Sequence, residues 1–290
     1  MDIHQLQSAF EKVMGNTSQL YGFHHIGGGD INQNYKVLTE KGPVFLKAHD
    51  YRQSPRIYER EKSGLLYLLK SNAVNVIIPI GNCEINQVEY LFMEYIDSVP
   101  PNKNFWINFG EQLAKLHLES NKYFGFVEDN YLGLNPQLNH RMSNWGQFFV
   151  NNRLIPNVRK AADLMLIDFS TIKKFEQFYQ LAEMAFPEES PSLLHGNLSK
   201  KNIRIDEEGN PKLTKPAVYY GHREMDLGMT RRYGSFDPQF YDAYNATFPL
   251  QADWEIRLDF VHIYCDLVNL NLYGHPYLVE IINRLNKWVD

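Results

Sequence analysis

The sequence predicts an α+β protein in two lobes, a small antiparallel β-sheet lobe carrying one main helix and a larger, mostly helical lobe. Three observations lead there. The opening third alternates short strand patterns with a single helical run, and the rest of the chain is dominated by helical spacing. Between them, Asp97-Ser98-Val99-Pro100-Pro101 separates the two compositions as a hinge. The expected boundaries are residues 1–96 and 97–290.

Taken in order, Ile3, Leu6, Phe10 and Val13 recur at helical spacing, and Gly15 stops that helix. Gly27-Gly28-Gly29 precedes two strand candidates, Tyr35–Leu38 and Val44–Ala48, joined by a Lys41-Gly42 hairpin turn. A helix begins after Pro55 and runs to about Lys70. Asn75–Ile80 and Glu89–Tyr95 read as two further strands. Beyond the hinge, Trp106, Phe109, Leu113 and Leu116 mark a helix, as do Leu258, Val261, Cys265 and Val268. Helical patterns also fit roughly 142–153, 171–185, 237–244 and 276–288. Short strands near Ile203–Ile205 and Lys212–Thr214 flank a Glu208-Gly209-Asn210 turn.

Composition narrows the function classes. With 44% apolar and 14% aromatic residues in 290, the chain buries a substantial core. A formal charge of −5 argues against a nucleic-acid partner, because phosphate backbones select basic surfaces. Cys83 and Cys265 lie far apart without CxxC spacing, which predicts a reduced, cytoplasmic protein. The start, Met1-Asp2-Ile3-His4-Gln5-Leu6, has no cationic segment followed by an apolar run, so no signal peptide is expected. Apolar runs such as Val76-Ile77-Ile78 are too short to span a bilayer, so no membrane role is expected either.

The chemistry concentrates in His195-Gly196-Asn197-Leu198-Ser199-Lys200-Lys201-Asn202. This stretch reads like a phosphotransferase catalytic loop, His-Gly-Asp-x-x-x-x-Asn, with the aspartate replaced by Asn197. In such a loop the Asp accepts the proton of the attacking hydroxyl, and the final Asn, here Asn202, holds a metal ion. Upstream, Gly27, Gly28, Gly29 and Asn32 form a glycine run where backbone N–H groups approach phosphate unobstructed. A plain turn is the alternative reading. Lys47 lies on the third strand, able to reach phosphates, and Glu61 on the following helix is its candidate partner. Glu94 and Tyr95 end the strand that would border a nucleotide.

Together these residues resemble the fructosamine kinase (ketosamine kinase) family, with its aminoglycoside-phosphotransferase and protein-kinase-like bilobal fold. The resemblance runs through Gly-Gly-Gly-Asp-Ile-Asn at 27–32, Gln112–His117, Asp129–Gly133, Pro136–Asn139, Trp145, Arg153-Leu154 and Pro216–Glu224. It implies ATP- and Mg²⁺-dependent phosphorylation of a sugar hydroxyl on a ketoamine, a small sugar-amine or a modified protein. It implies that residues 1–96 bind the nucleotide and that His117, Ser199, His222 and Glu224 face the substrate. For His117 a satisfied buried histidine is the competing reading. His195 is expected to fix the loop backbone through its ring, and Asp226 to brace the loop.

Departures fall in the chemistry. Asn197 stands where the family has its catalytic Asp, and Lys215 where the family has a metal-holding Asp. Ser199-Lys200-Lys201 replaces the usual Trp-Ser-Gly. Loss of a general base costs roughly 10²–10⁴-fold in rate. An ammonium about 4 Å from a dication repels it by roughly 8 kcal/mol at an effective dielectric of about 20. One Asp-to-Asn change adds one positive charge and one Asp-to-Lys change adds two, leaving the cleft +3 relative to a metal-free family enzyme. The sequence therefore predicts a catalytically impaired family member whose Mg²⁺ binding fails. The alternative is a non-enzymatic pseudokinase that grips a nucleotide or phosphorylated sugar-amine without metal, through Lys215, Lys47 and Lys200.

Overall fold

The chain opens with a helix, α1 (Ile3–Met14), whose Leu6, Ala9 and Phe10 are buried at the expected helical spacing. The structure, a computed structural model, describes residues 3–15, 19–27, 33–232 and 234–289. After α1 come β1 (Leu20–His25), β2 (Gln33–Thr39), β3 (Gly42–Asp50), α2 (Ile57–Ser71), β4 (Pro79–Ile85) and β5 (Val88–Glu94). The strands form one antiparallel sheet in the order β1-β2-β3-β5-β4. Val37, Leu46 and Phe92 are fully buried on it, and Phe10 packs on Phe92 with ring centroids 5.6 Å apart.

The second half continues with α3 (Phe105–Leu118), β6 (Asn130–Leu132), β7 (Asn135–Gln137) and α4 (Trp145–Phe149). A π-helical turn (Val150–Leu154) leads into α5 (Ile155–Asp163), followed by α6 (Phe169–Met184) and β8 (Ser192–Leu194). Then come β9 (Ile203–Ile205), β10 (Pro211–Leu213), β11 (Tyr219–Gly221), α7 (Glu224–Arg232), α8 (Pro238–Thr247), α9 (Trp254–Tyr273) and α10 (Leu278–Leu285). By internal contacts the chain divides into two compact units. One is Met1–Phe105 with Ile203–Lys215, and the other is Trp106–Asn202 with Pro216–Asp290. In the second unit, α9 carries buried residues nearly all round, and Phe260 stacks on Phe178 of α6 at 4.9 Å.

Several expected elements shift for identifiable reasons. The strand expected over Asn75–Ile80 starts only at Pro79. Its first residues instead meet β10: Leu213 N donates to Asn75 O at 2.9 Å, and Ile77 N to Leu213 O at 2.9 Å. The helix expected over 142–153 is capped by Asn144, whose side chain accepts from Gln147 N, and continues through the π turn to Asp163. Pro156 comes just after the π turn, and having no N–H it donates no hydrogen bond to the preceding turn.

Strand β1 escaped the sequence because LYGFHH shows no clean alternation and none of its residues is fully buried. The strands β6, β7, β8 and β11 are three residues each, too short for a period of two to register. Helix α7 has no polar stripe because Glu224–Thr230 are all buried. Gly228 lets it approach α9, since a Cβ there would lie 2.6 Å from a Val261 methyl. Among the described residues, no helix is long and apolar enough to cross a membrane.

Candidate active site

In the first unit, strand alternation turns Lys47 of β3 inward, leaving it 2% exposed. Its ammonium pairs with the Glu61 carboxylate on α2, and lies 5.0 Å from the centroid of the buried Tyr58 ring. Helix α2 starts at Arg56 in a left-handed conformation with no side-chain cap of its own. Glu89 of β5 takes that role, its Oε1 accepting from Glu59 N at 3.0 Å. Burial raises the Glu89 carboxyl above its ordinary range, opposed by the N–H groups of the helix start. Glu61 is thus held one turn into a helix whose end is tied to the sheet.

Lys47 and Glu61 line a pocket with Arg204, Thr214 and Lys215 on the polar wall, and Phe45, Ile77, Met93 and Ile96 on the apolar one. Lys215 adopts φ 55, a left-handed conformation uncommon for a lysine. Arg204 and Thr214 went unnoticed in the sequence: a lone arginine within Ile203-Arg204-Ile205 carries no motif. Glu94 does not line this pocket, since its carboxylate accepts from Ile78 N at 2.8 Å and Lys212 Nζ at 2.7 Å. Tyr95 is likewise outside it, its hydroxyl donating to Asp97 at 2.8 Å with Lys36 over its ring. Gly27 follows β1 at φ 77, whereas Gly28, Gly29 and Asn32 lie outside the described residues.

In the second unit the 195–202 loop is held by its backbone. Asp226, wholly buried, accepts from His195 N at 2.7 Å and Gly196 N at 2.8 Å. His195 Nδ1 accepts from Asn197 N at 3.3 Å, and His195 O accepts from Ala217 N at 2.9 Å. Gly196 sits at φ 76, and a Cβ there would lie 2.1 Å from Ala217 O, so only glycine fits. Asn202 closes the loop by donating from Nδ2 to Asn197 O at 2.7 Å. Ser199 is 9% exposed, whereas Lys200 is exposed.

The residues expected to face substrate are interior ones. His117 sits between Tyr244 OH, 2.8 Å from Nδ1, and Asp226, 3.3 Å from Nε2. Burial lowers its pKa, opposed by the Asp226 carboxylate beside it. His222 accepts from Glu224 N at 3.4 Å, and burial followed by the Arg223 and Arg257 charges pushes its pKa down to about 3. Glu224 receives the Arg257 guanidinium at 2.6–3.1 Å. His117, His222 and Glu224 are each 1% exposed, so their polar atoms serve the interior rather than an open surface.

A second device was only half legible. Gln137 Nε2 donates to Asn130 Oδ1 at 2.8 Å and Ala217 O at 3.2 Å, Asn130 Nδ2 donates to Val218 O at 2.8 Å, and Tyr264 OH donates to Gln137 Oε1 at 2.8 Å. The phrases at 129–139 and 216–224 are thus joined by amide hydrogen bonds, which clamp the Ala217-Val218 segment that presses on Gly196.

A divalent cation requires anionic oxygen ligands. The pocket in the first unit offers one carboxylate, Glu61, already partnered by Lys47, and an ammonium at 215. Asn202 brings only a neutral amide, and no group of three His, Cys, Asp or Glu among the described residues is placed to hold a metal. These residues do not fit Mg²⁺.

The family model described as fructosamine kinase matches residues 3–290. A probable ketoamine kinase of Enterococcus faecium is 35% identical over 263 residues, covering 90% of this chain and 93% of that protein. The chloroplastic protein-ribulosamine 3-kinase of Arabidopsis thaliana is 33% identical over 280 residues, covering 95% and 85%. A crystal structure from Thermobifida fusca, provisionally a fructosamine-3-kinase, superposes with TM-score 0.86 at 27% identity, covering 97% and 98%. The aminoglycoside phosphotransferase APH(4)-Ia, solved with AMP-PNP and hygromycin B, gives TM-score 0.65 at 11% identity, covering 96% and 98%. At that identity the likeness is one of fold.

Proposed function

Because the chain belongs to the fructosamine kinase family, whose fold is the aminoglycoside-phosphotransferase type, we propose that it binds ATP and a ketoamine but transfers the phosphoryl group slowly. One observation carries this reading. The loop at 195–202 keeps every backbone tether, to Asp226, to the His195 ring and to Ala217, while the side chain in the proton-accepting position is the amide of Asn197.

In this reading Lys47, fixed by Glu61, holds nucleotide phosphates, and the apolar wall takes the base. The acceptor is a sugar hydroxyl on an amine adduct, free or on a protein. With no carboxylate at 197, that hydroxyl gives up its proton late, to solvent or to phosphate, at a cost of roughly 10²–10⁴ in rate. A second reading, binding without any transfer, is favoured by the ammonium of Lys215 in the same pocket.

The test is ADP release on fructose-lysine and ribulose-lysine with Mg²⁺. The wild-type chain is expected to fall well under the kinase range of about 1–100 s⁻¹. The Asn197→Asp, Lys215→Asp double variant is expected to gain at least about a hundredfold. Wild-type turnover inside that range, unchanged by Asn197→Asp, would discard the slow-kinase reading.

A further inference from the structure

Five carboxamide side chains meet around a second cavity of the first unit. Gln5 comes from α1, Gln33 from the start of β2, Gln53 from the segment after β3, and Asn86 and Gln87 from the β4–β5 turn. The cavity measures about 410 Å³, inside the range of about 300–1,000 Å³ that small-molecule sites occupy. Its apolar lining is Ala48, Val88 and Tyr90, which belong to the core packed beneath α1. Lys47 precedes Ala48 on β3 and so turns to the other face of the sheet. Asp50 and Arg52 also line the cavity, and they neutralise each other: Nε and Nη2 of the guanidinium donate to the two carboxylate oxygens at 3.0 and 2.6 Å.

The β4–β5 turn is a separate sign of function. Asn86 at φ 51 and Gln87 at φ 64 join the paired residues Ile85 and Val88. A two-residue turn with both residues left-handed is the one for which hairpins use Asn-Gly. Asparagine is at ease there, but a glutamine in the glycine position is strained, and such strain gathers at ligand clamps. The turn is fastened at both polar groups of that residue. Gln87 O accepts from Tyr51 N at 2.8 Å, and Gln87 N donates to Glu84 Oε1 at 2.8 Å. A carboxamide therefore borders the cavity where the backbone favours no side chain at all.

Carboxamides donate and accept hydrogen bonds without carrying charge. Five of them around a neutralised ion pair match an uncharged ligand rich in hydroxyls, since each hydroxyl also donates and accepts. An anion would meet a guanidinium already held by Asp50, and an apolar ligand would leave the amides unpaired. We propose that this cavity binds a neutral sugar, a monosaccharide or small glycosyl group, through Gln5, Gln53, Asn86 and Gln87. The inference is independent of the nucleotide reading, which concerns the other face of the sheet.

Saturation-transfer NMR of the full chain with D-glucose, D-fructose and maltose tests this, with glucose 6-phosphate and inorganic phosphate as charged counterparts. At least one neutral sugar is expected to bind with a dissociation constant on the order of 1–10 mM. The same sugar should shift the backbone amide signals of Asn86, Gln87 and Val88 in isotope-labelled protein. Gln87→Gly is expected to weaken binding about three- to tenfold, the scale of a lost hydrogen bond. It should do so without lowering the melting temperature, because glycine relieves the left-handed strain. Loss of affinity without loss of stability separates a ligand clamp from a merely structural turn. Gln53→Ala, in an exposed segment, should weaken binding to a similar degree, and it decides if Gln87→Gly does not fold. No binding of the three neutral sugars, binding confined to the phosphate-bearing probes, shifts that avoid the β4–β5 turn, or affinity indifferent to both variants would overturn the proposal.

Discussion

Glu61→Gln removes the anion from a pair whose lysine is 2% exposed and whose glutamate is 9% exposed. Leaving one buried charge without its partner costs about 3–5 kcal/mol. Arg204 and Lys215, lining the same pocket with the same sign of charge, keep the cost toward the upper end, and the Tyr58 ring beside Lys47 is present in both proteins and changes nothing. At about 2.1 cal/mol/K per residue, 290 residues melt with an entropy near 0.6 kcal/mol/K. The expected fall in Tm is therefore about 5–8 °C.

Thermal melts and urea titrations at neutral pH measure it. Replacing both partners, Lys47→Met with Glu61→Leu, should return to within about 1.5 kcal/mol of the wild type, since apolar side chains fill the site without stranding a charge. A Glu61→Gln protein that melts within about 2 °C of the wild type, or a double variant less stable than Glu61→Gln alone, would refute the reasoning.

The remaining predictions concern the second unit. His222 and His262 are pushed down to about 3 and about 4, each first by burial and then by neighbouring guanidinium groups. Folding holds both neutral, whereas the unfolded chain protonates them near pH 6.5, so the unfolded state binds more protons as pH falls. Stability is therefore complete above about pH 6.5 and is lost below it at up to about 1.4 kcal/mol per pH unit for each histidine. The loss ends near pH 4 for His262 and near pH 3 for His222. Urea midpoints that stay level from about pH 7 to about pH 5 would contradict this. Gly196→Ala sets a Cβ 2.1 Å from Ala217 O at φ 76. It should cost about 3 kcal/mol or more by chemical denaturation, and a cost under about 1 kcal/mol would show that the loop yields.

The Lys47–Glu61 pairing could be anticipated because a phosphate-reaching strand lysine needs a carboxylate, and the helix after the strand offers one. Asp226 as a brace of the 195–202 loop was expected as well, and its two hydrogen bonds bear out that geometry. Arg204 was invisible in the sequence, since its place in the pocket depends on β9 and β10 joining the first unit across about a hundred residues of chain. Glu94 shows the converse. It ends the strand it was read from, yet its carboxylate turns to Lys212, a partner that no local pattern marks. His117, His222 and Glu224 carry chemistry-bearing side chains, but packing from α7, α8 and α9 buries them with Asp226, Tyr244 and Arg257 as partners.

Local order along the chain was sufficient for the α+β class and for the long helices and paired strands, which depend on periods of two or 3.6 that a sequence displays directly. The amide at 197 and the ammonium at 215 stood out only against the family that the sequence resembles, which implies carboxylates there. Which polar groups meet, which are sealed from water, and which cations gather in one pocket were decided only by tertiary packing. Burial and electrostatic partnership are set by neighbours distant in the chain, and a period carries no record of them.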